Sequence, residues 1–361
     1  MSITPLQNGC FSIVTTDGCT ARCSHCLMNC TPHKKNKVHF EQIQKSIDQI
    51  VKNYSVRLVV FTGGESTLLG EDLFRAIRYC TLNFLRTRLV TNAHWATSLE
   101  RAQRYVEKFR NAGLSEMNIS VDDYHEPYVS LENIRNAWLA SKEAGFEAVV
   151  LANSHGNNDK ITPSFIQEFL GEKITVSTPV ARNLIDENTP LEKRPRYEIY
   201  ENTLQKSGRA ESLDDNKFNT IDNLTHLDNC CTWAVSDPVL SPLGHIWACC
   251  GIPSDNNPIL DLGDANKEKI KTILTRASKN PILNAIHEFG PLKLCKFVEE
   301  HSKIRFKKDF CGVCEICSAL TNNKKAVQVL LDNEKLINAM LKAKRSIDEL
   351  SKVLSQRQSN N

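Results

Sequence analysis

Six short runs rich in aliphatic and β-branched residues recur along the first half of the chain, and longer stretches with helical spacing separate them. This alternation constrains the fold more than any other feature. The runs cover 11–15, 57–61, 88–91, 117–121, 148–152 and 174–177. Each is brief and largely apolar, as strands buried on both faces are. Between the first two, Phe40, Ile43, Ile47, Ile50 and Val51 share one face of a helix over 40–54. Residues 71–80, 98–111, 130–144 and 163–170 read the same way, with Ser98 and Ser130 as N-caps and Gly113 and Gly145 as helix stops. Six β–α repeats joined by right-handed crossovers give a parallel sheet covered by helices. Periodicity alone leaves open whether that sheet is doubly wound or a partial barrel. In either case the chemistry belongs at the C-terminal ends of the strands.

Composition narrows the class. The chain has 361 residues, 41% hydrophobic and 24% charged, which is ordinary for a globular protein. No run approaches the roughly 18 apolar residues of a membrane span, and residues 1–10 do not read as a secretory signal. A net charge of +3 is too small to indicate a nucleic-acid partner. Cysteine is the outlier, with 14 copies. Nothing directs export, so the expected location is the cytoplasm, where clustered thiols serve metal binding or catalysis rather than disulfides. Cys80, alone in a helical stretch, reads as a small buried hydrophobe. Cys10 and Cys30 flank the N-terminal cluster and read the same way.

Three of the cysteines, Cys19, Cys23 and Cys26, fall in the loop after the first strand with the spacing Cys-x3-Cys-x2-Cys. Three close thiolates can hold three irons of a [4Fe–4S] cube and leave the fourth open for chemistry. A zinc knot is the competing reading of three such thiolates. Phe61-Thr62-Gly63-Gly64-Glu65 ends the second strand, where two glycines allow backbone to approach a ligand closely.

Together these motifs resemble the radical S-adenosylmethionine superfamily, whose fold is a partial (β/α)6 barrel similar to a TIM barrel. The resemblance implies that the open iron chelates S-adenosylmethionine and that Gly63, Gly64 and Glu65 meet its ammonium, Glu65 directly or through its backbone neighbours. His25 stands where the family usually has an aromatic residue near adenine. Asn92, after the third strand, and Ser120 and Asp122, at the end of the fourth, stand where the family places polar cofactor contacts. Asn and Asp at strand ends also serve as ordinary turn formers. His125 could handle protons or substrate, or be a surface histidine.

Further along, Cys231 is followed by Gly244, Cys249 and the run Cys311, Cys314 and Cys317. The pattern resembles the SPASM or Twitch auxiliary-cluster extension of the same superfamily. No cysteine lies beyond Cys317, which favours the shorter form with one auxiliary [4Fe–4S] cluster. Cys231, Cys249 and two of the last three are its natural ligands, Cys311 and Cys314 being the first choice. Cys230, Cys250 and Cys295 are left to complete a second cluster, donate a hydrogen atom, or pack. A zinc ribbon is the alternative for the whole region.

The expected organisation is a barrel over 1–182, a bridging segment over 183–229, an auxiliary iron–sulfur domain over 230–320 and a helical tail over 321–361. In the tail, Leu336, Met340, Ala343, Ile347, Leu350 and Leu354 follow an alternating four-and-three spacing. Docking onto the chain's own body is favoured over a coiled coil, because few heptads are present. Functionally, the resemblance implies reductive cleavage of S-adenosylmethionine to a 5′-deoxyadenosyl radical that abstracts hydrogen from a peptide or protein. Oxidation of a small-molecule alcohol by the same chemistry is the alternative. A non-catalytic iron–sulfur or zinc redox sensor is a further one, disfavoured by Gly63-Gly64-Glu65. The implied partners are a flavodoxin or ferredoxin type electron donor, the substrate, and a separate peptide-carrier protein, since the first strand begins near residue 11.

Overall fold

The computed structural model describes residues 3–7, 9–178, 196–219 and 230–358, with backbone only at 352–354 and 356–358. Six parallel strands appear where the alternation places them: β1 (Gly9–Val14), β2 (Val56–Thr62), β3 (Arg86–Thr91), β4 (Glu116–Ser120), β5 (Ala148–His155) and β6 (Thr175–Ser177). A further strand, β7 (Tyr197–Thr203), inserts between β5 and β6, pairing Val149 with Tyr197 through to His155 with Thr203. Its sequence, Tyr-Glu-Ile-Tyr-Glu-Asn-Thr, lies within the stretch read as an irregular bridge. The polar residues hid it. Glu198 is buried and accepts from Ser177 at 2.6 Å, and Glu201 pairs with His155 at 2.8 Å. Residues 183–195, part of that stretch, lie outside the described residues.

Helices cover the sheet much as their spacing predicts. In α1 (Phe40–Asn53) Phe40, Ile43, Ile47 and Ile50 are buried, while Val51 is 39% exposed, just off that face. Ser98 accepts from the Arg101 amide at the start of α3 (Leu99–Ala112), and Ser130 from the Asn133 amide at α4 (Leu131–Glu143). At the N-terminal ends of the strands, Glu116 bridges Arg86 at 2.8 Å and Arg88 at 2.6 Å. That end of a barrel serves stability, which leaves the opposite end for chemistry.

The cysteine-rich region is joined to the barrel by the sheet itself. β8 (Val239–Leu240) runs parallel to β1, with Ser12 opposite Val239, and continues antiparallel into β9 (His245–Trp247) and β10 (Asp261–Asp264). The Cys10 amide donates to Asp237 at 2.5 Å beside this junction. The order across the ten described strands is therefore β10-β9-β8-β1-β2-β3-β4-β5-β7-β6.

At the C-terminus a 25-residue helix (Glu334–Gln358) docks through Ile337, Leu341 and Arg345, whose guanidinium meets Glu288 at 2.7 Å and Asn284 at 2.9 Å. The heptad-spaced row is its neighbour rather than its docking face: Leu336, Met340, Ile347 and Leu350 are exposed. Leu354's side chain lies outside the described residues. No helix among the described residues is long and apolar enough to cross a membrane.

Candidate functional site

The loop after β1 places Cys19, Cys23 and Cys26 around one end of a cavity of about 380 Å³ that opens at the C-terminal ends of the strands. This loop is pinned from the second strand. The Gly64 amide donates to Thr16 O and the Glu65 amide to Gly18 O, at 2.8 and 2.9 Å. The fit is too tight for a side chain. A Cβ on Gly64 would sit 1.9 Å from Gly18 O, and one on Gly63, whose φ is +132°, would sit 2.6 Å from Thr16 O. Burial pushes the Cys19 thiol up to about 12. Cys30 is buried beside the triad and hydrogen-bonds Cys26, which lowers the Cys26 thiol against the cost of burial. Cys30 is buried, as expected, in the same cluster as Cys19 and Cys23, and Cys80 is fully buried in the core, also as expected.

The other cofactor candidates divide into a wall and its supports. Gly63, Gly64, His25, Asn92 and Ser120 line the cavity. Asn92 Nδ2 donates to Thr20 Oγ1 at 3.0 Å and approaches Cys19 Sγ at 3.7 Å. Glu65 and Asp122 stand behind. Glu65 is fully buried and accepts from Thr67 N at 3.2 Å, Thr67 Oγ1 at 2.7 Å, Thr91 Oγ1 at 2.9 Å and Asn92 N at 2.8 Å. Its carboxylate therefore couples the end of β2 to the end of β3 and does not itself line the cavity. Asp122, 2% exposed, caps the next turn through the Tyr124 and His125 amides and pairs with His125 Nδ1 at 2.9 Å and His25 Nε2 at 3.3 Å. Burial opposes its ionisation, yet the two imidazoles hold it well below the usual carboxylate range. His25 in turn stacks on Tyr124, with centroids 4.7 Å apart, and meets His125 edge-on. Its Nδ1 is buried with no partner among the described residues.

One residue with no sequence signal is central. Arg209 follows β7, and its Nε donates to Cys23 O at 2.9 Å, its Nη2 to Cys30 O at 2.7 Å and its amide to Cys26 O at 3.1 Å. Gly208, at φ +62°, makes the approach possible: a Cβ there would lie 2.4 Å from Leu27 O. Segment 202–209 then continues along the cavity wall with Asn202, Leu204 and Gln205.

Trp233, Cys250, Gly251 and Cys314 also line the cavity. A Cβ on Gly251 would meet Cys314 Sγ at 2.9 Å and Cys249 Sγ at 3.7 Å, so both sulfurs crowd one glycine. Cys314 and Cys317 share a face of the helix Val313–Thr321, three residues apart. Burial pushes Cys317 well up, and the nearby Cys249, Cys231 and Cys314 push it further. Cys311 precedes the helix and turns elsewhere. Its thiol donates to Glu315 at 2.9 Å, and it belongs to the same buried cluster as Cys19, Cys23 and Cys30. The structure thus brings Cys231, Cys249, Cys314 and Cys317 together, and the helical spacing separates Cys317 from Cys311. Cys295 is buried close enough to raise Cys317, while Cys230 is exposed.

Residues 13–166 match the family model of the Radical SAM superfamily. YydG of Bacillus subtilis (strain 168), a protein named for peptide biosynthesis, is 21% identical over 329 residues, 89% of this chain and 95% of its own. Streptococcus suis SuiB, solved with S-adenosylmethionine bound, is similar in fold, with a TM-score of 0.51 at 15% identity over 79% of this chain and 68% of its own.

Proposed function

Because the chain carries a radical S-adenosylmethionine domain, we propose that Cys19, Cys23 and Cys26 hold a [4Fe–4S] cluster and that the enzyme abstracts hydrogen from a peptide or protein. One observation carries the reading. A single cavity is lined both by the cysteine triad with Gly63-Gly64 and by Cys250, Gly251 and Cys314. The residues fit the cofactors. Three thiols of suitable softness and the backbone of two glycines line one cavity, and His25 Nδ1 has no partner among the described residues. When bound, the cluster and S-adenosylmethionine supply the hydrogen-abstracting radical.

The protein's own part is placement and exclusion of water. Gly63 and Gly64 present backbone to the methionine end, with Asn92 and Ser120 as polar contacts in the wall. Glu65 fixes Asn92 from behind, and Asp122 fixes His25 and His125. The stacked His25 and Tyr124 rings give a flat surface suited to adenine. Cys231, Cys249, Cys314 and Cys317 hold the auxiliary [4Fe–4S] cluster in this reading, and Cys314 also lines the cavity. Peptide substrate is favoured by the name of the 21% identical YydG. A flavodoxin or ferredoxin type donor supplies the electron in the cytoplasm, and a carrier protein delivers the peptide.

Anaerobic incubation of the reconstituted protein with S-adenosylmethionine and dithionite tests the reading, with 5′-deoxyadenosine as the readout. The wild type should form it. The Cys19→Ala, Cys23→Ala, Cys26→Ala triple variant should form none, and turnover in that variant would overturn the assignment.

A further inference from the structure

The stretch after the cysteine triad carries a cluster of charge that the reading above leaves without a task. His33, Lys34, Lys35 and Lys37 are all exposed, three lysines within four residues. Lysine runs are commonplace on protein surfaces, and two features set this one apart. The first is its attachment. Thr31 O accepts from the Cys19 amide at 3.1 Å, the Thr31 amide donates to Asp17 O, Lys37 bridges Thr16, and the Val38 amide donates to Thr15 O at 2.8 Å. The lysine loop is therefore laced to the segment that carries Cys19, and one hydrogen bond separates it from that ligand. The second is its charge state. None of the three lysines makes an ion pair among the described residues, and the one carboxylate bonded into the loop, Asp17, is taken by Asn36 Nδ2 at 2.7 Å.

We propose that the loop 31–37 is the docking surface for an acidic protein that delivers single electrons to the cluster on Cys19, Cys23 and Cys26. The inference rests on the function proposed above and names a partner for that site. The chemistry asks for such a surface. One electron must leave a low-potential donor and enter the cluster, lowering its charge by one, and no other bond changes. The encounter has to be brief so that the spent donor departs. Small, charge-steered contacts serve this purpose: they raise association rates by 10- to 1000-fold, about as far as salt can remove them, without building a tight complex. None of the three lysines lines the substrate cavity, so donor and substrate need not compete.

The experiment follows cluster reduction by stopped-flow absorbance in the anaerobic holoprotein, with no substrate present. A reduced flavodoxin is the acidic donor in one arm and dithionite the small-molecule donor in the other. With Lys34→Glu, Lys35→Glu and Lys37→Glu combined, reduction by flavodoxin should slow at least about tenfold at low ionic strength. Reduction by dithionite and iron content should match the wild type. The wild-type flavodoxin rate should itself fall toward that of the variant between about 0.01 M and about 1 M salt, where the Debye length shrinks from about 30 Å to about 3 Å. A Lys324→Glu, Lys325→Glu variant, altered on a helix of the C-terminal region, should keep the wild-type rate. If the triple-glutamate variant folds poorly, Lys→Gln at the same three positions gives the same test with a smaller expected loss. Flavodoxin reduction at the wild-type rate in the loop variant overturns the proposal, and so does equal slowing in the Lys324, Lys325 variant. Absence of bound iron and sulfide from the anaerobically reconstituted wild type would instead remove the cluster itself, and the docking surface with it.

Discussion

Glu65→Ala asks how much of the site's shape hangs on one buried carboxylate. Four donors converge on it: the Thr67 and Asn92 amides and the Thr67 and Thr91 hydroxyls. The hydroxyls can rotate to other acceptors. Thr91 Oγ1 already accepts from the Ala93 amide and Trp95 Nε1, so its oxygen stays engaged after truncation. The two amides cannot turn. Each buried N–H left without an acceptor costs about 1–3 kcal/mol, giving about 2–6 kcal/mol for the pair. The Asn92 share is the firmer one because that amide is buried, whereas Thr67 is half-buried and can reach water. Urea unfolding of the metal-free protein, prepared anaerobically, measures the loss directly. Glu65→Gln should recover part of it, since one oxygen remains to accept while the new amide nitrogen faces donors. The affinity for S-adenosylmethionine should fall in Glu65→Ala even though the carboxylate does not line the cavity, because Asn92 loses its anchor. A stability loss below about 1 kcal/mol would refute the reasoning, as it would mean that water replaces the carboxylate without penalty.

Three other outcomes follow from the site. In a background lacking Cys19, Cys23 and Cys26, about four irons should remain; adding Cys317→Ser should remove them, and adding Cys311→Ser should not, as iron and sulfide analysis would show. Arg209→Met should leave Cys23 O and Cys30 O without their cation, so the first cluster should bleach faster in air than in the wild type, with Arg209→Lys intermediate; equal bleaching rates would dismiss the brace. The pH dependence of urea midpoints should flatten in Asp122→Asn. Asp122 is held low in the fold, so its contribution is present above about pH 3.9 and lost as pH falls through the depressed value. His125, raised by Asp122 against burial, contributes below about pH 6.5 and loses that as pH rises through its elevated value. Parallel curves for wild type and variant would count against the pair.

The elements that positioned themselves by apolar pattern were legible, as were the motifs fixed by local spacing. β1 to β6 and their helices follow from short apolar runs and caps such as Ser98 and Ser130. The cysteine triad and Gly63-Gly64 could be found because each is contiguous in sequence and sits at a strand end. β7 could not, because its glutamates are neutralised by partners on β5 and β6 that only the fold supplies. Arg209 was invisible for a related reason: its function is to meet backbone carbonyls 179 and 186 residues away, and carbonyls leave no trace in sequence. The sequence left two of Cys311, Cys314 and Cys317 to choose between, with Cys311 and Cys314 first, whereas the helix Val313–Thr321 carries Cys314 and Cys317 on one face.

The pairing of β1 with β8 also sets a timetable. The first strand holds the cysteine loop, yet one of its two neighbours arrives 227 residues after Cys10, together with Asp237. At about 5–20 residues per second, a ribosome takes roughly 10–45 s to deliver that neighbour. During this interval β2 to β5 can assemble on one side of β1 while its other edge stays open, an arrangement prone to wrong pairing. Arg209 and the cavity lining from Cys250, Gly251 and Cys314 are also still missing or newly made. The cysteine loop is consequently most accessible while the chain is being synthesised, and a delivery system for iron and sulfide has its widest opening then. Ribosome-bound chains halted before Val239 should accept a cluster from a donor protein faster than the finished apoprotein does.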